Sequence, residues 1–372
     1  STTKEGGAVY AAGTGADIPD DQPADPPDDH FPNERLLIEF EETIFSGNYA
    51  QIGHTVMVNG WNPENQFIDM DFGDSQFDCA FDSDNNELDG VSEYWVKGKD
   101  NAAFDFTGGI SGEIPAIVSD VWVDPVNGMD EGNALGDLDN PFLTIDYAMS
   151  MIYPTEDNPI TIHLTAGEFS PSNNNESFPI NIISDITIIG EGPDNTTLDA
   201  EQTGRVITLN DVYNVNISRL KITGGFADGN YHADALGGGV YARRAIATLN
   251  RVAIIGNKAW SQGKGFYVKM AELDMYNVTV ADNISSEVGN CPYCWYYSSM
   301  EVVNTIIWEN ELFDFEDQFI FLDISYSNIQ GGYEGVGNID IDPLFVNPYP
   351  EDLESPDYSL QENSPCIDIG TD

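Results

Sequence analysis

The chain has 372 residues, of which 64 are Asp or Glu and 13 are Lys or Arg, so its formal charge at pH 7 is −51. A nucleic-acid binder needs Lys and Arg to displace phosphate counterions, so nucleic acid is excluded as a partner. The 17 Tyr, 19 Phe and 6 Trp residues exclude a disordered chain, because they are enough to build a large core. No apolar run reaches the length that crosses a bilayer, so membrane insertion is not expected.

The acidic residues are spread over the chain. Residues 1–120 contain 25 acidic and 4 basic residues, and residues 121–372 contain 39 and 9. This division predicts an acidic surface everywhere, which opposes association unless cations or salt screen it. Bound Ca²⁺ and a saline habitat both explain such a surface, and the sequence leaves the two open.

The N-terminal region, residues 1–58, contains two segments that recur late in the chain. Residues 6–11 match residues 238–242, and residues 42–48 have the form of residues 251–257. An acidic, Pro-rich loop is predicted between them over 12–34.

Two turns are rich in oxygen ligands and are predicted to hold structural Ca²⁺. The first lies in an Asp-rich region, 59–120, that either connects or adds β structure. An ordinary Asp- or Asn-rich turn is the alternative in both places, since the glycine and closing Glu of an EF-hand are missing. The predicted ligands are Asp82, Asp84, Asn86 and Asp89 in the first turn, and Asp124, Asn127 and Asp130 in the second.

A helical pattern occurs over residues 141–152. The apolar residues there recur at helical spacing and predict one short helix, which would cap the open edge of a β structure. The residues of this apolar face are Phe142, Ile145, Ala148, Met149 and Ile152.

Short strand-like segments recur between residues 185 and 310. Residues 251–257, 277–283 and 304–310 each alternate apolar residues with period two and end in Asn, and Asn250, Asn277 and Asn304 are 27 residues apart. Such a repeat predicts the coils of a β-solenoid with about ten rungs, roughly 50 Å long. The Asn residues are predicted to adopt left-handed backbone at turns and to hydrogen-bond between stacked coils.

Cys291 and Cys294 are separated by Pro and Tyr in a polar insertion. A redox-active pair would open a helix after a strand, so a local disulfide is the preferred interpretation and free thiols the alternative. Three aromatic residues beside this pair could stack on sugar rings or pack against the solenoid. These are Tyr293, Trp295 and Tyr296.

Several segments resemble a known superfamily. Residues 121–128, 140–145, 163–167 and 187–192 resemble the opening of bacterial right-handed parallel β-helix proteins of the pectin-lyase-like superfamily. Residues 220–225 and 237–241 are similar to repeats of the polymorphic-outer-membrane-protein type, and residues 338–345 to the usual last coils. The resemblance implies an all-β fold, a right-handed parallel β-helix over 121–372. It does not imply one function, because the superfamily includes lyases, hydrolases, adhesins and structural proteins.

The late-type segments before residue 58 leave three arrangements open. Residues 1–115 could form coils on the same solenoid, they could complete the end of another copy, or the chain could be one segment of a tandem protein. The second arrangement would produce a head-to-tail filament of copies of the chain. Its predicted contact residues are Gly6, Gly7, Val9 and Tyr10.

No common catalytic motif is found, and basic residues are scarce. The sequence therefore predicts a non-enzymatic, calcium-stabilised fibre subunit or adhesive appendage. It is expected outside the cell or on its surface, after removal of an export segment. The alternative from a different class is a carbohydrate-binding protein or a polysaccharide lyase or hydrolase, since 64 acidic residues leave room for a pair of catalytic carboxylates.

Overall fold

The computed structural model describes residues 117–371, apart from 131–134, 153, 230–234, 284–292, 296, 311–320 and 349–355. Before residue 117 it describes eight short strands. These strands pair in parallel as β1-β4-β7, β2-β5-β8 and β3-β6, which is the pattern of successive coils. They are β1 (Val9–Ala12), β2 (Leu36–Glu39), β3 (Ile44–Phe45), β4 (Val56–Asn59), β5 (Phe67–Asp71), β6 (Gln76–Phe77), β7 (Gly98–Lys99) and β8 (Ala103–Thr107).

Most strands after residue 117 have two to five residues, and β16 and β19 are longer, with 9 and 10 residues. One helix, α1 (Ile145–Met151), lies after the first of them. The strands up to residue 259 are β9 (Val121–Val123), β10 (Ile160–Leu164), β11 (Gly167–Phe169), β12 (Ile180–Asn181), β13 (Ile186–Ile189), β14 (Thr196–Asp199), β15 (Ile207–Asn210), β16 (Val215–Thr223), β17 (Phe226–Ala227), β18 (Val240–Arg243), β19 (Ile246–Ile255) and β20 (Lys258–Ala259). The remaining strands are β21 (Phe266–Lys269), β22 (Glu272–Tyr276), β23 (Thr279–Ala281), β24 (Tyr293–Trp295), β25 (Ser299–Val303), β26 (Ile306–Trp308), β27 (Phe321–Ser325), β28 (Asn328–Ile329), β29 (Phe345–Asn347) and β30 (Asp357–Leu360).

The described strands form a parallel β-helix, as predicted. A 13-stranded sheet has two arms that are joined through the long strands β16 and β19. The first arm is ordered β27-β25-β22-β19-β16-β13-β10-β9, and the second arm contains β11, β14, β23, β26 and β28 with the ends of β16 and β19. The third face of the solenoid is a separate five-stranded sheet, called the third sheet below, which is ordered β12-β15-β18-β21-β24. Each coil therefore passes from the third sheet to the first arm, then to the second arm, and back.

The interior is a narrow apolar core. Inward and outward residues alternate along each strand, as the BiBiB burial of β10 illustrates. Because the register between parallel strands is maintained, equivalent inward residues stack directly on one another through the first arm. One such column of buried side chains is Ile162, Ile188, Ile217, Leu249, Met275, Val302 and Ile324.

Buried asparagines connect the coils at the turn after the second arm. The backbone N–H of Asn257 donates to Oδ1 of Asn283 at 3.0 Å, and that of Asn283 donates to Oδ1 of Asn310 at 3.2 Å. The predicted hydrogen bonding between stacked Asn residues is thus confirmed. At this turn the left-handed residue is the one before the Asn, with φ of 69° at Gly256 and 54° at Asp282.

The 27-residue spacing was misleading at one position. Asn277 and Asn304 are left-handed, with φ of 56° and 53°, as predicted. Asn250, however, pairs with Tyr276, so the residue stacked on Asn277 is Arg251, whose φ is 54°. The prediction that Asn250 is equivalent to Asn277 is therefore wrong by one residue, because the preceding turns differ in length.

Helix α1 contacts β9 at the first coil. It is shorter than the predicted 141–152 because Thr144 is its N-cap, whose hydroxyl accepts from the backbone N–H of Tyr147 at 3.1 Å. Phe142 instead forms a bridge with Val123. All five residues of the predicted apolar face are buried, so the face is confirmed. In the part of the chain that the structure describes, no helix is long and apolar enough to span a membrane.

The C-terminal segment folds back along the solenoid. Strands β29 and β30 pair antiparallel, and the hydroxyl of Tyr358 donates to Asp282 at 3.1 Å. The side chain of Asn304 exchanges two hydrogen bonds with the backbone of Thr371. The tail therefore fastens the last coils to one another.

Candidate functional site

The outer face of the first arm carries three columns of side chains, because outward residues of parallel strands stack in register. The edge column consists of Ile246, Glu272, Ser299 and Phe321. The central column consists of Thr161, Thr187, Asn216, Thr248, Asp274, Glu301 and Asp323. The turn column consists of Trp122, His163, Ile189, Ser218, Asn250, Tyr276, Val303 and Ser325. These columns contain carboxylates and aromatic rings but no Lys or Arg.

The last three strands of this face form a shallow, open cleft of about 540 Å³. It lies across β22, β25 and β27, and its outward lining residues come from the edge and central columns. Four carboxylates and one large exposed ring give it a mixed acidic and apolar lining. The lining residues are Glu272, Asp274, Ser299, Met300, Glu301, Phe321, Leu322 and Asp323.

Two carboxylates of the cleft have different environments. Burial raises the pKa of Asp274, although its Oδ1 accepts from the backbone N–H of Glu301 at 2.8 Å. Oε2 of Glu301 accepts from the Tyr276 hydroxyl at 2.8 Å, and this bond raises the pKa of Tyr276 to about 12. The phenol therefore stays protonated and holds Glu301 in place, while Asp274 retains its proton more readily than an ordinary aspartate.

Aromatic side chains are found at both ends of the face. Phe321 is 76% exposed at the cleft, more than any other large apolar side chain of the described residues. At the other end the rings of Trp122 and His163 stack with centroids 4.7 Å apart. The His163 ring also lies 3.7 Å from the Asp120 carboxylate. Both ends thus offer an apolar ring beside a carboxylate.

The residues predicted to stack on sugars lie elsewhere. On the third sheet the rings of Tyr241 and Tyr267 stack with centroids 5.5 Å apart, and Arg205 lies over Tyr241. Tyr293 is at the next register position of this row, and Trp295 pairs with Lys269. Tyr296 lies outside the described residues. Tyr241 and Tyr267 are buried, and the sugar-stacking role of the predicted residues stays a prediction.

The carboxylates of the second predicted calcium turn are engaged in local hydrogen bonds. Oδ1 of Asp124 accepts from the backbone N–H groups of Val126 and Asn127. Asp130 accepts from the backbone N–H groups of Leu143 and Thr144 and from the Thr144 hydroxyl. Among the described residues no group of three or more His, Cys, Asp or Glu could hold a metal ion.

The first calcium turn, with Asp82, Asp84, Asn86 and Asp89, lies outside the described residues. Calcium binding at both turns stays a prediction.

Cys294 is a buried free thiol in the core, where burial raises its pKa to about 12. A thiol with so high a pKa is a poor nucleophile, which argues against redox chemistry at this residue. The structure thus shows Cys294 as the free thiol of the alternative interpretation. Cys291 lies outside the described residues, so the disulfide between the two stays a prediction.

Two of the predicted assembly residues pair within the same chain. Val9 and Tyr10 of β1 are in register with Val56 and Met57 of β4. Gly6 and Gly7 lie outside the described residues. The role of these residues in contacts between copies stays a prediction.

Sequence reasoning missed the acidic cleft, although one signal pointed to it. Asp274 and Glu301 are 27 residues apart, the same interval that relates Asn277 to Asn304. An acidic residue at one place in successive repeats indicates a stacked row on the surface. Like charges stacked on neighbouring strands reduce stability, so such a row indicates a functional surface.

Comparisons with known proteins found one family model and several solved structures. Residues 126–206 match the model of a right-handed β-helix family described as "Protein of unknown function (DUF1565)". No curated protein matches the chain. Pectin methylesterase PemA from Erwinia chrysanthemi is 11% identical, with a TM-score of 0.28 over 56% of this chain and 70% of that one. Pectin methylesterase from carrot is also 11% identical, with a TM-score of 0.30 over 62% and 88%.

Proposed function

We propose that the protein binds a glycan along the outer face of the first arm, with one sugar unit held in the cleft of β22, β25 and β27. The observation that carries the proposal is the combination of carboxylates with the exposed ring of Phe321 in a cleft of about 540 Å³. Solenoids present long, straight surfaces that suit extended polymers.

The chemistry of the cleft suits a sugar. Carboxylates such as Glu301 and Asp323 accept hydrogen bonds from hydroxyl groups, and a sugar ring can pack its apolar side on Phe321. Ionised carboxylates without a nearby base would repel an acidic sugar, so the unit in the cleft should be uncharged. Seven intervals between eight parallel strands give the face a length of about 34 Å, enough for several sugar units.

Cleavage of the glycan is a second candidate function, favoured by the unequal environments of Asp274 and Glu301. Glycoside hydrolysis needs one carboxyl group that donates a proton and one that stays ionised. Burial makes Asp274 the better proton donor, and the Tyr276 hydroxyl, which donates to Oε2 of Glu301 at 2.8 Å, positions the second carboxyl group. Release of reducing ends by the wild-type protein, and its loss in Asp274→Asn with binding retained, would establish this function.

The predicted fibre subunit is compatible with glycan binding, because the two use different parts of the chain. Copies would assemble head to tail outside the cell or at its surface. Electron microscopy of the purified protein tests this prediction. Filaments that disappear on deletion of residues 1–11 would support it, and a uniform monomer in millimolar Ca²⁺ would contradict it.

Binding can be tested by calorimetry against a panel of neutral and acidic oligosaccharides. We expect Phe321→Ala to weaken binding at least tenfold, because the stacking surface in the cleft is removed. Trp260→Ala is a matched control with unchanged affinity expected, since Trp260 is a 53% exposed ring that lies outside the three columns of this face. Equal affinities for the wild type and Phe321→Ala, or no binding to any oligosaccharide, would refute the proposal.

A further inference from the structure

The basic residues are not distributed like the acidic ones. Nine of the 13 Lys and Arg residues lie within residues 205–269, a segment with only three acidic residues, so its formal charge is 9 − 3 = +6. The rest of the chain holds 4 basic and 61 acidic residues, or −57. The sequence predicted an evenly acidic surface because residues 1–120 and 121–372 were each counted as a whole. Within the two or three coils of residues 205–269 that prediction is wrong, because basic residues outnumber acidic ones there.

Three of these basic residues converge at the turn between the two arms. Ser218 pairs with Asn250 and Leu220 with Val252, so Arg219 and Arg251 stack on neighbouring coils at about 4.8 Å. Both are exposed and left-handed, with φ of 58° and 54°. Lys221 follows Arg219 by two residues and faces outward from β16. We call Arg219, Lys221 and Arg251 the basic cluster.

Among the described residues, no carboxylate lies within 4.0 Å of a charged group of the basic cluster. The contacts of 4.0 Å or less between described basic groups and described carboxylates join Arg244 to Asp211 and His163 to Asp120. Arg219 instead donates to the backbone carbonyl of Glu191 at 3.3 Å. Like charges on neighbouring strands reduce stability, and a chain with 64 acidic residues has many that could have been placed beside them.

We propose that the basic cluster binds a carboxylate or sulfate group carried by the glycan. The cluster directly follows Ser218 and Asn250 of the turn column, so it borders the face assigned to the glycan. Arg matches the planar geometry of an oxyanion with two parallel N–H donors, and Lys adds a third positive charge. This inference rests on the proposed function for the identity of the ligand, but not for the binding of an anion.

The position of the cluster defines the ligand more closely. The cluster lies on the coils of β16 and β19, whereas the cleft begins on the next coil, at β22. The ligand should therefore carry its negative group one or more units away from the uncharged unit in the cleft. A glycan fits better than a second copy of the chain, because two copies with a charge of −51 each repel one another.

The test compares two double variants that remove the same charge. Arg219→Gln with Arg251→Gln removes the stacked pair, and Arg243→Gln with Lys258→Gln removes two partly exposed basic residues on the coil of β19, the coil that also carries Arg251. The probes are a sulfated, a carboxylated and a neutral hexasaccharide, and inorganic sulfate, titrated calorimetrically at several salt concentrations. We expect the first variant to bind the two acidic hexasaccharides about 10- to 100-fold more weakly, with a smaller salt dependence. Binding of the neutral hexasaccharide should not change.

Four other results of this experiment would each lead to a different conclusion about the basic cluster. An equal loss in both double variants would overturn the inference, because only overall charge would matter. If inorganic sulfate binds as tightly as the sulfated hexasaccharide, the assignment to a glycan fails. Altered sedimentation of the first variant without altered anion binding would instead assign the arginines to a contact between copies. If the acidic hexasaccharides bind through the cluster while Phe321→Ala has no effect, the proposed function fails and this inference stands.

Discussion

Asn283 shows how one polar side chain can hold several coils together. It is fully buried, and its amide nitrogen donates to the carbonyls of Ile254 and Ala281 at 2.9 and 3.0 Å. Its Oδ1 accepts from the backbone N–H of Asn257, which belongs to the preceding coil. A buried amide of this kind stabilises the fold mainly because each broken hydrogen bond would leave a buried group unsatisfied.

We therefore expect Asn283→Ala to lower the free energy of unfolding by about 2–4 kcal/mol, since several buried groups lose their partners at once. Urea denaturation measures the change. Asn250→Ala is the control, because Asn250 is exposed on the outer face, and it should lose less than about 0.5 kcal/mol. Equal losses in the two variants would contradict the role of the buried amides.

Glu176 makes an unusual contact at the start of α1. Its carboxylate oxygens accept from the backbone N–H groups of Ile145 and Asp146 at 2.7 and 3.2 Å. Burial nevertheless raises the pKa of Glu176 from 4.5 to about 8. The native state therefore retains a proton that the unfolded chain releases near pH 4.5.

This difference predicts how stability depends on pH. Between pH 4.5 and 8 the native state binds more protons than the unfolded state, so the contribution of Glu176 to stability falls as pH rises. Relative to Glu176→Gln, the wild type should lose on the order of a few kcal/mol between pH 5 and 8, at about 1.4 kcal/mol per pKa unit. Urea denaturation at each pH measures this gap. The exposed Glu362→Gln variant should show no such trend, and a constant gap for Glu176→Gln would contradict the raised pKa.

At the scale of elements, the repeat was predictable and its register was not. Alternating apolar residues and Asn-ended turns predict strands and solenoid coils, because these patterns depend on local backbone preferences. The spacing of Asn250 gave the wrong register, because turn lengths vary between coils and only the strand pairing fixes which residues stack. A shift of one residue also moves a side chain to the opposite face of a strand.

The same reason explains why the cleft was missed. Asp274 and Glu301 share the 27-residue interval, but Asp323 follows Glu301 by only 22 residues. Their convergence depends on the pairing of β25 with β27, which the sequence pattern does not reveal. Helix α1, by contrast, was predicted correctly from its apolar face. The prediction of 141–152 placed its start four residues too early and its end one residue too late.

The charge of the whole molecule affects its stability. A charge of −51 disfavours the compact state through repulsion, and mobile salt weakens that repulsion. We expect the melting temperature to rise between 0.01 and 1 M NaCl. The predicted calcium sites require a further rise with millimolar Ca²⁺ at constant ionic strength, which a chelator should reverse. An identical midpoint with Ca²⁺ and with chelator would remove the calcium prediction.

The central claim is that the outer face of the first arm is the glycan-binding surface. Hydrogen–deuterium exchange, with and without the tightest-binding oligosaccharide, tests it most directly because the measurement locates the ligand on the chain. We expect slower exchange in β22, β25 and β27, and unchanged exchange in β15 and β18 of the third sheet. Protection confined to the third sheet, with none in β22, β25 and β27, would contradict the claim.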